Sequence, residues 1–299
     1  MWLIVALIGY ALSAVVNIFD KYVLEKTIGR PVVFVFFSTI FALLFFIAVP
    51  WVGGLNTNSD YLVALFCGAF FIFGLWSIYV GIQKSEISHL GPLIGAVVPI
   101  FTFFWSKIFF AEQFSKVQIA AIILLVAGSL VIAFQRGEKD LRAGLSWGVL
   151  GAFFWSIFAA SAKYLYDNND FTSGFIWSQG AVGVVSACLL FLPAVRKSLS
   201  RSETTSASFI NQSPKKIIFV FFDKLLGLLS LALVQYAVAL GSVTIVYALA
   251  GFQYALLVLF VAILSGYKSK FYKEKYVRGE LIQEALAILL IGFGLALLV

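Results

Sequence analysis

HLGPLIGAVVPIFTFFWSKIFF (His89–Phe110), AEQFSK (Ala111–Lys116) and VQIAAIILLVAGSLVIAF (Val117–Phe134) follow one another without a break. The first and third pieces are apolar. Each is about the length a helix needs to cross a hydrocarbon core of roughly 30 Å at about 1.5 Å per residue. The middle piece is short and charged, so the stretch reads as two membrane-spanning helices joined by a tight corner. Pro92 and Pro99 interrupt the first arm, and Gly128 lies inside the second. Glu112, at the corner, falls at headgroup depth, beside helix ends whose backbone groups need partners.

The composition extends this reading to the whole chain. Of 299 residues, 62% are hydrophobic and 12% charged, whereas a soluble domain is about half apolar and a quarter charged. The expectation is an all-α polytopic membrane protein. The 32 Phe suit lipid-facing and interhelical positions, while the 12 Tyr and 7 Trp suit the interfaces. A net charge of +7 would suggest nucleic acid in a soluble protein; here Lys and Arg in loops account for it, and no nucleic-acid partner is expected. Cys67 and Cys188 each lie in an apolar span and imply no disulfide. Met1-Trp2-Leu3 lacks the basic region of a cleavable signal peptide.

Hydropathy gives ten spans, at about 2–20, 32–51, 61–82, 89–110, 117–134, 144–165, 173–194, 218–240, 243–266 and 279–298. The long connection is the polar, Ser/Thr-rich loop 196–216. The midpoint is the short charged link 135–143, with five spans on each side. A shift of 142 residues places Gly9 on Gly151, Lys21 on Lys163 and Tyr22 on Tyr164. A shift of 157 places Tyr79 on Tyr236 and Ser85 on Ser242. Five is odd, so a second repeat would lie inverted in the membrane.

The proline-bearing helix, the aromatic end Phe109-Phe110, Glu112, the polar link and the late Ala127-Gly128-Ser129 together resemble the signature of EamA-type members of the drug/metabolite transporter superfamily. The resemblance is strongest over 88–134 and extends across the chain. It implies ten transmembrane helices in two inverted five-helix repeats: a first repeat over 1–134, a linker at 135–143 and a second repeat over 144–299. The second copy of the motif is degraded. Glu274 is the expected counterpart of Glu112, and Gly292 or Gly294 that of Gly128. Lys and Arg crowd the odd-numbered loops (Lys26, Arg30, Lys84, Arg136, Lys139, Arg196, Lys197, Lys215, Lys216, Lys268, Lys270). The positive-inside rule therefore favours both termini outside, whereas the resemblance favours both inside.

Catalytic chemistry finds little to use. The single histidine, His89, starts a helix, and the sequence shows no metal-ligand spacing, no phosphate loop and no nucleophile triad. The chain is expected to be no enzyme and to need no cofactor or metal. A carrier needs a polar midplane cavity, helices that bend and close packing. Candidates for the substrate path are Asn17, Trp76, Tyr79, Trp155, Gln179, Gln235, Tyr236, Tyr247 and Gln253. Interhelical hydrogen bonding is the competing reading for the amides, and interfacial packing for the aromatics. Lys21, Pro99, Glu112, Lys163 and Glu274 are the structural or gating candidates, with snorkelling to headgroups the alternative for the two lysines. No carboxylate falls squarely at mid-membrane.

The resemblance then implies a secondary transporter of a small organic metabolite by alternating access, in the plasma membrane, as a monomer or homodimer. The sparsely charged, aromatic spans suggest an uncharged, zwitterionic or partly aromatic solute. A flippase or scramblase for a lipid-linked sugar is the alternative, membrane lipid being a partner in either case.

Overall fold

The computed structural model describes residues 1–24, 30–84, 87–134, 141–200, 214–267 and 278–298. Among the described residues there are helices and turns and no strand. The helices are α1 (Trp2–Leu24), α2 (Pro31–Val52), α3 (Asn58–Lys84), α4 (Ile87–Phe109), α5 (Lys116–Ala133) and α6 (Leu141–Asn168). They continue with α7 (Phe171–Cys188), α8 (Pro193–Ser200), α9 (Pro214–Leu240), α10 (Val243–Ala248), α11 (Ala250–Tyr267) and α12 (Arg278–Ala296). Against the ten spans expected from hydropathy, seven described segments are long and apolar enough to cross a membrane. Three shorter apolar stretches, Trp2–Asn17, Leu225–Leu240 and Ile282–Ala296, lie within α1, α9 and α12. The protein is an integral, multi-pass, all-α membrane protein.

The corner of the deciding stretch forms for local reasons. Ala111 takes a left-handed φ of 48° that stops α4, and the Glu112 N–H returns to the Ser106 carbonyl at 3.2 Å. Ser115 then caps α5. Its hydroxyl accepts from the Gln118 N–H at 3.2 Å, while Gln118 Oε1 accepts from the Ser115 N–H at 2.9 Å. This reciprocal pair satisfies donors that a helix start leaves unpaired. At the far end of α5, the Ala133 carbonyl lies 3.1 Å from His89 Nδ1. The carbonyls of Val131 and Phe134 accept from Gln283 Nε2 at 2.8 and 3.1 Å. The lone histidine is thus part of a helix cap.

α2 is not uniform. It is α-helical over Pro31–Thr39, a 3₁₀-helix over Ile40–Ala48 and α-helical again over Val49–Val52. A nine-residue 3₁₀ run is long for that geometry. It is seated on α7, where Gly180 faces the Phe46 ring and Gly183 faces the backbone of Ala42 and Leu43. A buried polar link holds the junction. Thr39 Oγ1 lies 2.7 Å from the Val35 carbonyl and 2.9 Å from Ser186 Oγ.

Packing between helices follows a pattern. α1 lies along α9 and α3 along α6; α11 meets α1 and α4 meets α6; α2 meets α7, and α5 meets α12. Exchanging α1–α5 in order with α6, α7, α9, α10–α11 taken together and α12 carries α1·α9 onto α6·α3 and α1·α11 onto α6·α4. It carries α2·α7 and α5·α12 onto themselves. Small residues permit these crossings. A Cβ on Gly9 would stand 2.9 Å from Val234, and one on Gly151 would stand 2.7 Å from Ile78. These are the two glycines aligned by the 142-residue shift.

The α5·α12 contact is the most regular. A Cβ on Gly128 would meet Ile291 at 2.6 Å and the Ala287 carbonyl at 3.1 Å; one on Gly294 would meet Leu125 at 2.9 Å and the Ala121 carbonyl at 3.1 Å. Ala121 precedes Gly128 by seven residues, as Ala287 precedes Gly294, so the two antiparallel helices present the same patch to each other. Gly294 is therefore the packing counterpart of Gly128, because nothing lies within 4 Å of a Cβ at Gly292. Gly294→Ala is expected to cost about 1–3 kcal/mol through overpacking. Gly292→Ala is expected to be neutral or to gain up to about 1 kcal/mol from helix propensity. Thermal unfolding of the two purified variants in one detergent checks this, and equal shifts would contradict it.

Candidate functional site

Of the residues singled out from sequence, the structure brings three together. Gln235 on α9 is fully buried. Its Oε1 accepts from the Tyr166 hydroxyl of α6 at 3.4 Å, and its Nε2 donates to the Tyr247 hydroxyl of α10 at 3.4 Å. The Trp155 indole stands beside the same Tyr247 hydroxyl. It packs on Phe71 with ring centroids 5.0 Å apart and on Phe158 at 5.6 Å. One amide thus ties three helices, and in lipid a buried amide is kept only where it bonds across helices or meets another polar group.

Tyr10, from the middle of α1, completes this centre and was not singled out from the sequence; neither was Tyr166. Tyr10 is buried, close enough to Tyr247 and Tyr254 for their hydroxyls to act on its own electrostatically. The Tyr254 ring lies against α4 where Gly91 and Gly95 leave room, within about 3 Å of where their Cβ atoms would be. Pro99 is one turn further along α4, buried, with its carbonyl accepting from Thr102 Oγ1 at 3.1 Å. The centre draws on both halves of the chain: α1 and α4 from the first, α6, α9, α10 and α11 from the second.

The other path candidates lie elsewhere. Gln179 is buried on α7, one turn from Phe175, which packs edge-on to Phe45, and from Val182, which packs with Val35 and Ile72. Tyr79 packs edge-on to Phe34 at 4.8 Å. Asn17 and Gln253 are half-buried. Trp76 continues an exposed stripe of α3 with Leu62, Phe66 and Phe73, and Tyr236 continues one of α9 with Phe222, Leu225, Leu229 and Leu240. Both therefore face away from the packed interior, Tyr236 against Phe171 at 4.9 Å.

A set of polar links joins helix ends on the side of the Glu112 corner. Glu112 Oε2 accepts from Ser242 Oγ at 2.6 Å, and Ser242 is the N-cap of α10. The corner carboxylate thus bonds a residue from the other half of the chain. One turn back, Ser106 and Thr244 share a hydrogen bond of 2.9 Å, both fully buried. Lys163 pairs with Asp167 at 2.8 Å and donates to the Ala239 carbonyl at 3.4 Å. Its ammonium thus reaches the C-terminal end of α9, where carbonyls lack partners. Asp60, buried at the start of α3, accepts from Thr57 N–H at 3.2 Å and from Asn169 Nδ2 at 3.1 Å, and Asn169 Oδ1 accepts from the Asn56 N–H at 2.7 Å. Trp177 Nε1 donates to the Gly53 carbonyl at 3.0 Å, pinning the α2–α3 turn. The Lys21 side chain and Glu274 lie outside the described residues.

Among the described residues no group of His, Cys, Asp and Glu could hold a metal ion. Residues 1–134 match the model of the EamA-like transporter family. A Bacillus subtilis protein described as "Uncharacterized transporter YxxF" is 21% identical over 133 residues, 43% of this chain and 42% of that relative. The chain thus aligns with less than half the length of this curated relative. One crystal structure superposes at a TM-score of 0.63 over 99% of this chain and 97% of its own, at 14% identity, which bears on the fold alone. Residues 1–134, which hold the corner with Glu112 and Gly128, are thus similar to the EamA-like transporter family.

Proposed function

We propose that the protein is a secondary transporter of a small organic solute. It works at the plasma membrane by alternating access of two inverted five-helix halves, 1–134 and 144–299, around the Tyr10, Trp155, Tyr247 and Tyr254 centre. The observation that carries the reading is that this centre is built from helices of both halves, so relative rocking would rearrange it. The mate-like packing of α1·α9 with α6·α3 and the reciprocal Gly128/Gly294 contact support the two-half arrangement. Asn17, Gln179, Gln235 and Gln253 are the proposed polar lining, with Pro99 the bend in α4.

The test is reconstitution of the full chain in liposomes and uptake of pooled labelled metabolites. Protein-dependent uptake that falls at least about tenfold in Trp155→Ala, with an unchanged elution profile, supports the reading. Translocation of a labelled lipid without solute uptake would move the assignment to a flippase.

A further inference from the structure

Polar contacts run through all four turns on the side of the Glu112 corner. Asn169, in the α6–α7 turn, accepts from the Asn56 N–H and donates to Asp60 at the start of α3. Lys163, on the last turns of α6, reaches the Ala239 carbonyl at the end of α9. Three residues on, Ser242 donates to Glu112 of the α4–α5 corner. This belt passes between 1–134 and 144–299 twice, at Asn169 and at Ser242.

The two seams are built differently. The first holds five hydrogen bonds: besides the two at Asn169, Asn56 Nδ2 donates to the Asn168 carbonyl, Ser173 Oγ to the Val52 carbonyl and Trp177 Nε1 to the Gly53 carbonyl. Four of the five engage a main-chain atom, so loss of any one leaves the turns in register. The second seam joins side chain to side chain. The half-buried Glu112–Ser242 pair lies outside, and the fully buried Ser106–Thr244 bond lies one turn within. Rotation about side-chain bonds breaks both, and water at headgroup depth can replace the outer one at little net loss. Each arm of this seam also stands beyond an interruption in its own helix. Pro99 precedes Ser106 by seven residues on α4, and the break between α10 and α11 falls at Leu249, five residues after Thr244. A proline within a helix removes a backbone bond and permits a bend.

Resting on the carrier reading above, we infer that the Glu112–Ser242 pair, backed by Ser106–Thr244, is a latch closing this face of the protein, and that the Asp60–Asn169 seam is the hinge about which the face opens. The arms beyond Pro99 and Leu249 part while the α2–α3 and α6–α7 turns stay joined, and water enters between α4 and α10.

The experiment places the full chain, carrying Cys67→Ala and Cys188→Ala, in lipid nanodiscs with Ser106→Cys as reporter and a sulfonated, membrane-impermeant maleimide as probe. Ser106 is fully buried, so the reporter reacts when the face opens. Glu112→Ala or Ser242→Ala is expected to raise the labelling rate at least about tenfold, as loss of one bond to a charged group predicts. Asn169→Ala and Trp177→Phe are expected to leave it within about twofold, because the other bonds of the hinge remain. Ser129→Cys, equally buried on α5, is the control and stays unlabelled throughout. Labelling that rises at Ser129→Cys as well shows a bond that holds the fold, and overturns the inference. An unchanged rate in Glu112→Ala overturns it too, as does an equal rise in the hinge variants. In proteoliposomes, a disulfide formed between Ser106→Cys and Thr244→Cys, whose parent oxygens lie 2.9 Å apart, is expected to stop uptake of pooled labelled metabolites until dithiothreitol reopens it. Uptake that continues through the disulfide removes the latch and leaves the carrier reading. Labelling as expected, with no uptake before oxidation, supports the latch and removes the carrier reading.

Discussion

Gly183→Ala is expected to give a chain that fails to assemble α2 on α7, with a loss of more than about 3 kcal/mol, beyond the usual range for added methyl groups. The reason is what the new Cβ would strike. At Gly183 it would overlap the Leu43 amide nitrogen and stand 2.8 Å from the Ala42 carbonyl carbon. These are backbone atoms of the 3₁₀ segment and cannot rotate away. Gly180→Ala is the internal control: its Cβ would stand 2.6 Å from Phe46 ring atoms, and a ring at the end of a side chain can swing, so a smaller loss is expected. Detergent-solubilised yield and unfolding temperature of the two variants measure the difference. Parity between them would mean that the α2–α7 crossing is looser than described.

The second large effect concerns an ion pair whose members are not equivalent. The Lys163 side chain is 11% exposed and that of Asp167 41%. Removing Lys163, as in Lys163→Met, leaves a carboxylate that water can reach and a stem of similar volume, so a loss under about 1 kcal/mol is expected. Removing Asp167, as in Asp167→Ala, leaves a buried ammonium with only the Ala239 carbonyl. A broken buried pair costs about 3–5 kcal/mol, and partial exposure reduces this to about 2 kcal/mol. The double variant should recover most of the Asp167→Ala loss. A double-mutant cycle by thermal unfolding checks the order, and Lys163→Met proving the worse of the two would reverse the assignment of which charge is stranded.

Much of the architecture could be read from residues whose physics is local. The apolar runs and the charged corner at Ala111–Lys116 follow from lipid length and capping chemistry alone. The choice between Gly292 and Gly294 could not be made that way. Both lie in the apolar C-terminal half of α12, and only its register against Ala121 and Leu125 separates them. The same limit explains Trp76 and Tyr236. Lipid is as apolar as a protein core, so no polar face marks which side of α3 or α9 points outward. Tyr10 and Tyr166 were passed over because tyrosine ordinarily sits at the interface, whereas here their rings are drawn inside by helices from both halves. The amides were more legible, since Gln179 and Gln235 must be inside wherever the helices pack. Which of them is satisfied is set by tertiary contacts with Tyr166 and Tyr247, far away in sequence.

The 3₁₀ segment of α2 makes contour length a variable of hydrogen-bond pattern rather than of residue count. Nine residues, Ile40–Ala48, extend about 18 Å at the 3₁₀ rise, against about 13–14 Å as α-helix. α2 therefore reaches roughly a turn of α-helix further than its 22 residues would otherwise allow. It can match a thicker hydrocarbon slab, or a steeper tilt, with no added residue. Gly180 and Gly183 keep the neighbouring helix close enough to hold that extended form.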